Sequence, residues 1–116
     1  MNLLFAYGSL KQGFGNHPKI NQSPIFNATL SGFILLTQGG SFPAIKVGLG
    51  MVEGEVYEVT DAKLKVIDAL EGHPDYYKRE LVTVVNKTSL KKHQVFTYVI
   101  VDATQWRPYG KTNWQR

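Results

Sequence analysis

The sequence predicts a small α+β domain in which a curled, barrel-like sheet carries one main helix. Three observations carry this: several short runs rich in β-branched and aromatic residues, a single segment with helical apolar spacing, and a long aperiodic stretch after the first strand. At 116 residues the chain has the size of one domain, and 43% apolar residues are enough for one core. We therefore expect a single domain over residues 1–116.

The first run, NLLFAY, is short, bulky and continuous, as a buried strand is. Gly8 follows, and without a Cβ it lets the backbone turn sharply or come close to another segment. Ser9 adds a hydroxyl and a further N–H, and roughly fifteen residues without periodicity come next. Further strands are expected at residues 29–36, 51–59, 79–85 and 95–101, with a short one at 42–47. VTVVNKTSLKKHQVFTYVIV reads as a hairpin, two Val-rich runs about a polar turn. The helix is TDAKLKVIDALEG. Thr60 or Asp61 can cap its start, and Leu64, Ile67 and Leu70 form one apolar stripe. Gly72 suits the left-handed residue that closes a helix, and Pro74 stops its continuation.

Composition removes several function classes. There are no cysteines, which excludes disulfides, thiolate zinc sites and cysteine nucleophiles. No run approaches the ~18 apolar residues of a membrane span. Met1-Asn2 lacks the basic flank of a secretory leader. A cytoplasmic protein without metal or cofactor, away from membranes, is the expectation. The net charge of +4 and pI of 9.4 raise nucleic-acid binding. The basic residues are scattered, however, and the cluster Lys91-Lys92-His93 falls at the expected hairpin turn, where charge keeps a surface wet. No nucleic-acid partner is expected.

Among residues that could carry chemistry, Glu71 stands out. It lies four residues after Ile67 and seven after Leu64, on the apolar face and in the last helical turn. Burial and the negative end of the helix dipole both oppose a carboxylate there and raise its pKa. Two readings stay open: a structural glutamate in solvent or in an ion pair with Arg79 or Lys78, or a proton-transfer base. Ser9 as a nucleophile would need a base and an orienting group, and only His17 and Asp68 offer themselves, without supporting spacing. Gly8 and Gly13 begin a phosphate-loop pattern that fails at Phe14, and GFGNHP fails as a dinucleotide fingerprint at Pro18. His17, His73 and His93 show no metal-ligand spacing. The aromatic, basic tail WRPYGKTNWQR is read as a docked C-terminus rather than an RNA surface.

YGSLKQG, GSFPAIK, VEGEVYEV and DALEGHPDYYKRELVTV, in that order from Asn2 to Val101, resemble the γ-glutamylcyclotransferase-like proteins. The likeness is nearest to the small bacterial-type and γ-glutamylamine cyclotransferase members. Specificity lies in YGSL together with LEGHPxYYxR, and the residues after Val101 contribute nothing to it. The resemblance implies a small mixed barrel with few helices. It implies a substrate loop at Tyr7, Gly8, Ser9 and Leu10, and a catalytic acid/base at Glu71. It also implies release of 5-oxoproline from a small γ-glutamyl substrate, by attack of the substrate's own α-amine on its γ-carbonyl. Phe42, Pro43, Ala44, Tyr77 and Tyr98 are candidates for the leaving-group side. A non-catalytic module binding a small carboxylate is the alternative from another class.

Overall fold

A computed structural model describes residues 1–39 and 42–115; Gly40 and Ser41 of the GSFPAIK motif, and Arg116 of the tail, lie outside the described residues. The strands are β1 (Asn2–Ala6), β2 (Phe26–Gln38), β3 (Phe42–Val59), β4 (Tyr77–Asn86), β5 (Lys92–Ile100) and the two-residue β6 (Arg107–Pro108). They pair in the order β3-β1-β5-β4-β2, and β2 pairs again with β3, so five strands close into a barrel. β1 runs parallel to β5 through Leu4 and Phe96, and the other pairings are antiparallel. The barrel is therefore mixed, as expected. β6 adds to β2 outside the ring, with Leu36 opposite Pro108.

Strand alternation decides what each residue covers. Phe5 and Tyr7 join Leu30, Val52, Val56, Val84, Val95 and Val99 in the barrel interior. Leu4 and Ala6, on the opposite face of β1, join Tyr57, Val59 and Tyr98 beneath the helix α1 (Asp61–Glu71). β1 is thus covered on both sides, which explains its unbroken apolar run. Residues 42–47 and 51–59, expected as separate strands, are one strand. Ser31 lies opposite Met51 but Phe33 lies opposite Val47, and Gly32, with φ +84°, sits at the slip. Such a bulge interrupts alternation without ending the pairing.

The helix begins and ends as its sequence directs. Thr60 caps it, its hydroxyl accepting from the Lys63 N–H at 3.1 Å, and Gly72 closes it at φ 68°. Leu64 and Ile67 are buried against the barrel, each worth roughly 1.5–3 kcal/mol of apolar burial. Leu70, expected in the same stripe, is instead exposed at the last turn. The tail docks, as expected. Trp114 is buried in the barrel interior, and the buried Lys11 ammonium donates to Asn113 Oδ1 at 2.8 Å and to the Trp114 carbonyl at 2.9 Å.

Candidate active site

β1 delivers Tyr7 to the edge of a cavity of about 460 Å³, within the size range of small-molecule sites. The chain then turns at Gly8-Ser9-Leu10, with the Lys11 N–H donating to the Gly8 carbonyl at 3.0 Å. Gly8 is required by close approach: a Cβ there would lie 2.4 Å from Pro43 Cγ on β3. Among the described residues, the backbone N–H groups of Gly8, Ser9 and Leu10 donate to no carbonyl or side chain. Three such donors on one turn can receive an oxygen anion.

The end of α1 forms the facing wall. Glu71 is half-buried at the cavity, and burial pushes its carboxyl up to about 7. Removal from water is the cause, one of the two expected from the sequence. All five residues singled out for the site, Tyr7, Gly8, Ser9, Leu10 and Glu71, line this one cavity.

Three hydrogen-bonded phenols line it beside Tyr76. Tyr7 donates to the Tyr98 carbonyl at 2.8 Å, Tyr77 to the Pro43 carbonyl at 2.7 Å, and Tyr98 to Asp68 Oδ1 at 2.6 Å. Burial raises the pKa of each, and the Glu71 carboxylate adds to the effect, so all three are neutral hydroxyls. Phe42, Pro43, Tyr77 and Tyr98 line the cavity as suggested for the leaving-group side, whereas Ala44 does not.

The ion pair offered for Glu71 forms elsewhere. Arg79 pairs with Asp68, its Nη1 lying 2.6 Å from Oδ2, rather than with Glu71. Asp68 thereby serves Arg79 and Tyr98 together. Ser9, His17 and Asp68 do not assemble as a triad. Ser9 Oγ accepts from Asn16 Nδ2 at 2.9 Å, and His17 Nδ1 lies 3.0 Å from the Leu10 carbonyl. Among the described residues no three His, Asp or Glu side chains gather in a way that could hold a metal ion. Gln38 and Tyr76 also line the cavity without having been assigned to it from the sequence, and so does Asn16. Asn16 lies in the aperiodic segment, and its only local signal is an Asn standing before His17-Pro18, a pattern that starts a helical turn.

A family model described as "Gamma-glutamyl cyclotransferase, AIG2-like" matches residues 4–116. It takes in the tail, which the motif resemblance had left out. A protein of Methanocaldococcus jannaschii, provisionally named a γ-glutamylcyclotransferase, is 38% identical over 88 residues, 73% of each chain. The γ-L-glutamyl-butirosin B γ-glutamyl cyclotransferase of Niallia circulans is 36% identical over 70 residues, 59% of this chain and 44% of that enzyme. The crystal structure of an AIG2-like protein from Mus musculus superposes with a TM-score of 0.86 at 25% identity, covering 99% of this chain and 88% of that one.

Proposed function

Because the chain belongs to the γ-glutamyl cyclotransferase, AIG2-like family, we propose that it releases 5-oxoproline from a small γ-glutamyl amide, with Glu71 as general acid/base. One observation carries this: a carboxyl raised to about 7 and three backbone N–H groups that have no partner among the described residues line the same cavity. The N–H groups of Gly8, Ser9 and Leu10 hold an oxygen of the glutamyl head, and Glu71 faces its α-amine.

The chemistry then follows from the substrate. Its α-ammonium cannot attack until it gives up a proton, and an ionised Glu71 accepts one. The freed amine attacks the γ-carbonyl carbon and closes a five-membered ring, while the carbonyl oxygen gains negative charge that N–H donors stabilise. The bond from that carbon to the leaving nitrogen then breaks. Two protons leave the α-nitrogen as the ammonium becomes a lactam N–H, and both end on the departing amine. One carboxyl alternating between its ionised and neutral forms can relay them in turn. A pKa near 7 suits both halves of that cycle at neutral pH. Because the nucleophile belongs to the substrate, alignment supplies much of the rate; effective molarities of about 10⁵ M are reached in well-placed ring closures.

The Niallia circulans relative is named for γ-L-glutamyl-butirosin B. A small γ-glutamyl amide is accordingly the substrate class proposed here. Purified protein should release 5-oxoproline from γ-glutamyl amides, and Glu71→Gln should abolish that release while the fold survives. Near-normal turnover by a folded Glu71→Gln variant would overturn the assignment. Binding of 5-oxoproline without turnover by the wild type would make the protein a carboxylate-binding module instead.

A further inference from the structure

Asn16 holds Ser9 from two directions. Its backbone N–H donates to the Ser9 carbonyl at 2.9 Å, and its side-chain Nδ2 donates to Ser9 Oγ, also at 2.9 Å. Asn16 stands at the start of the 3₁₀ turn His17–Lys19, where an asparagine side chain usually caps the free N–H groups. It makes no such cap. Its amide is given to the loop instead, and both residues line the cavity.

A serine hydroxyl has one hydrogen to donate and lone pairs to accept with. With an amide hydrogen already on Oγ, the hydroxyl's own hydrogen must point away from Asn16. Among the described residues no protein acceptor takes it. We propose that Asn16 is a positioning residue that makes the Ser9 hydroxyl a one-way donor aimed at an oxygen of the γ-glutamyl head. This rests on the function proposed above and extends it: Ser9 supplies a side-chain donor beside the backbone N–H groups, and Asn16 fixes its direction. The aperiodic segment after β1 then has a specific task, because it returns Asn16 to the turn seven residues earlier.

Asn16→Asp tests the direction. A carboxylate of nearly the same shape can only accept, so Ser9 would donate to it and its hydrogen would be withdrawn from the cavity. The probe is 5-oxoproline, its Kd measured by calorimetry in a double-mutant cycle with Ser9→Ala. We expect Asn16→Asp to weaken binding about tenfold or more when Ser9 is present, and threefold or less when residue 9 is alanine. Asn16→Ala carries the same cycle if the aspartate variant does not fold. An equal loss in both backgrounds, or no loss with Ser9 present, overturns the role of Asn16 and leaves the proposed function standing. A folded wild type that neither binds 5-oxoproline nor releases it overturns both.

Discussion

Removing the charge of Glu71 should make the protein more stable while it destroys the proposed activity, and the effect should depend on pH. The perturbation is Glu71→Gln, which keeps the shape and cannot ionise. In the folded state burial raises the carboxyl from 4.5 to about 7. Below the lower value the carboxyl is protonated in both folded and unfolded chains, and it contributes no difference. Between the two values the unfolded chain has lost the proton and the folded chain has kept it. Stability therefore falls as pH rises through this window, and it levels off above the upper value. At about 1.4 kcal/mol per pH unit the window costs the folded state about 3 kcal/mol, and water at the exposed edge of the carboxyl lowers this toward about 2 kcal/mol. The glutamine variant escapes that loss. Thermal unfolding from pH 4 to pH 9 should show the two proteins close together at the acid end. They should separate by roughly 10 °C at the alkaline end, taking about 4 °C per kcal/mol for a chain of this size. Parallel curves across the range would mean that Glu71 is well solvated, and the case for a poised base would fail with them.

Two further perturbations test the walls and the closure of the barrel. Gly8→Val puts a side chain where even a Cβ would lie 2.4 Å from Pro43 Cγ, so the turn or β3 must move. We expect a loss of about 1–3 kcal/mol in stability and a raised KM for 5-oxoproline release, and an unchanged KM would remove the turn from the site. Trp114→Ala empties a buried position inside the barrel and should cost about 3–5 kcal/mol, read as a fall in the midpoint of urea unfolding.

The parts of this molecule that declare themselves in the sequence are those whose causes are local. Thr60 and Gly72 mark the ends of α1 because caps act within one turn, and the tight turn after Tyr7 is legible because glycine serves close approach. The merged strand β3 was hidden by the bulge opposite Gly32, which breaks the alternation on which strand reading depends. Arg79 reaches Asp68 rather than Glu71, and the sequence could suggest the wrong acid because the two lie three residues apart on one helix, on neighbouring turns of the same surface. Asn16 left no periodic trace, since its bonds to Ser9 span a loop rather than a helix or a ladder. Barrel closure between β2 and β3, and the seat of Trp114 inside it, depend on contacts far apart in the chain, which no short pattern encodes.

Why Glu71 arrives beside the Gly8 turn at all is a matter of matched lengths. β1 and the end of β3 are antiparallel, with Asn2 opposite Val59, so the chain leaves β3 next to the start of β1. Asn2 Nδ2 marks the place by donating to Asp61 Oδ1 at 2.7 Å, at the first residue of α1. The helix then lies over the outer face of β1, with Leu64 and Ile67 packed among Leu4 and Ala6. Its 11 residues rise about 16 Å at 1.5 Å each. The 5 residues of β1 cover about 17 Å at 3.3–3.4 Å each. Helix and strand start together and run out together, which brings the last helical residue level with the turn that follows the strand. The spacing between Thr60 and Glu71 is therefore a property of the site as much as of the helix. One added residue would rotate the carboxyl by about 100° around the helix and away from the cavity.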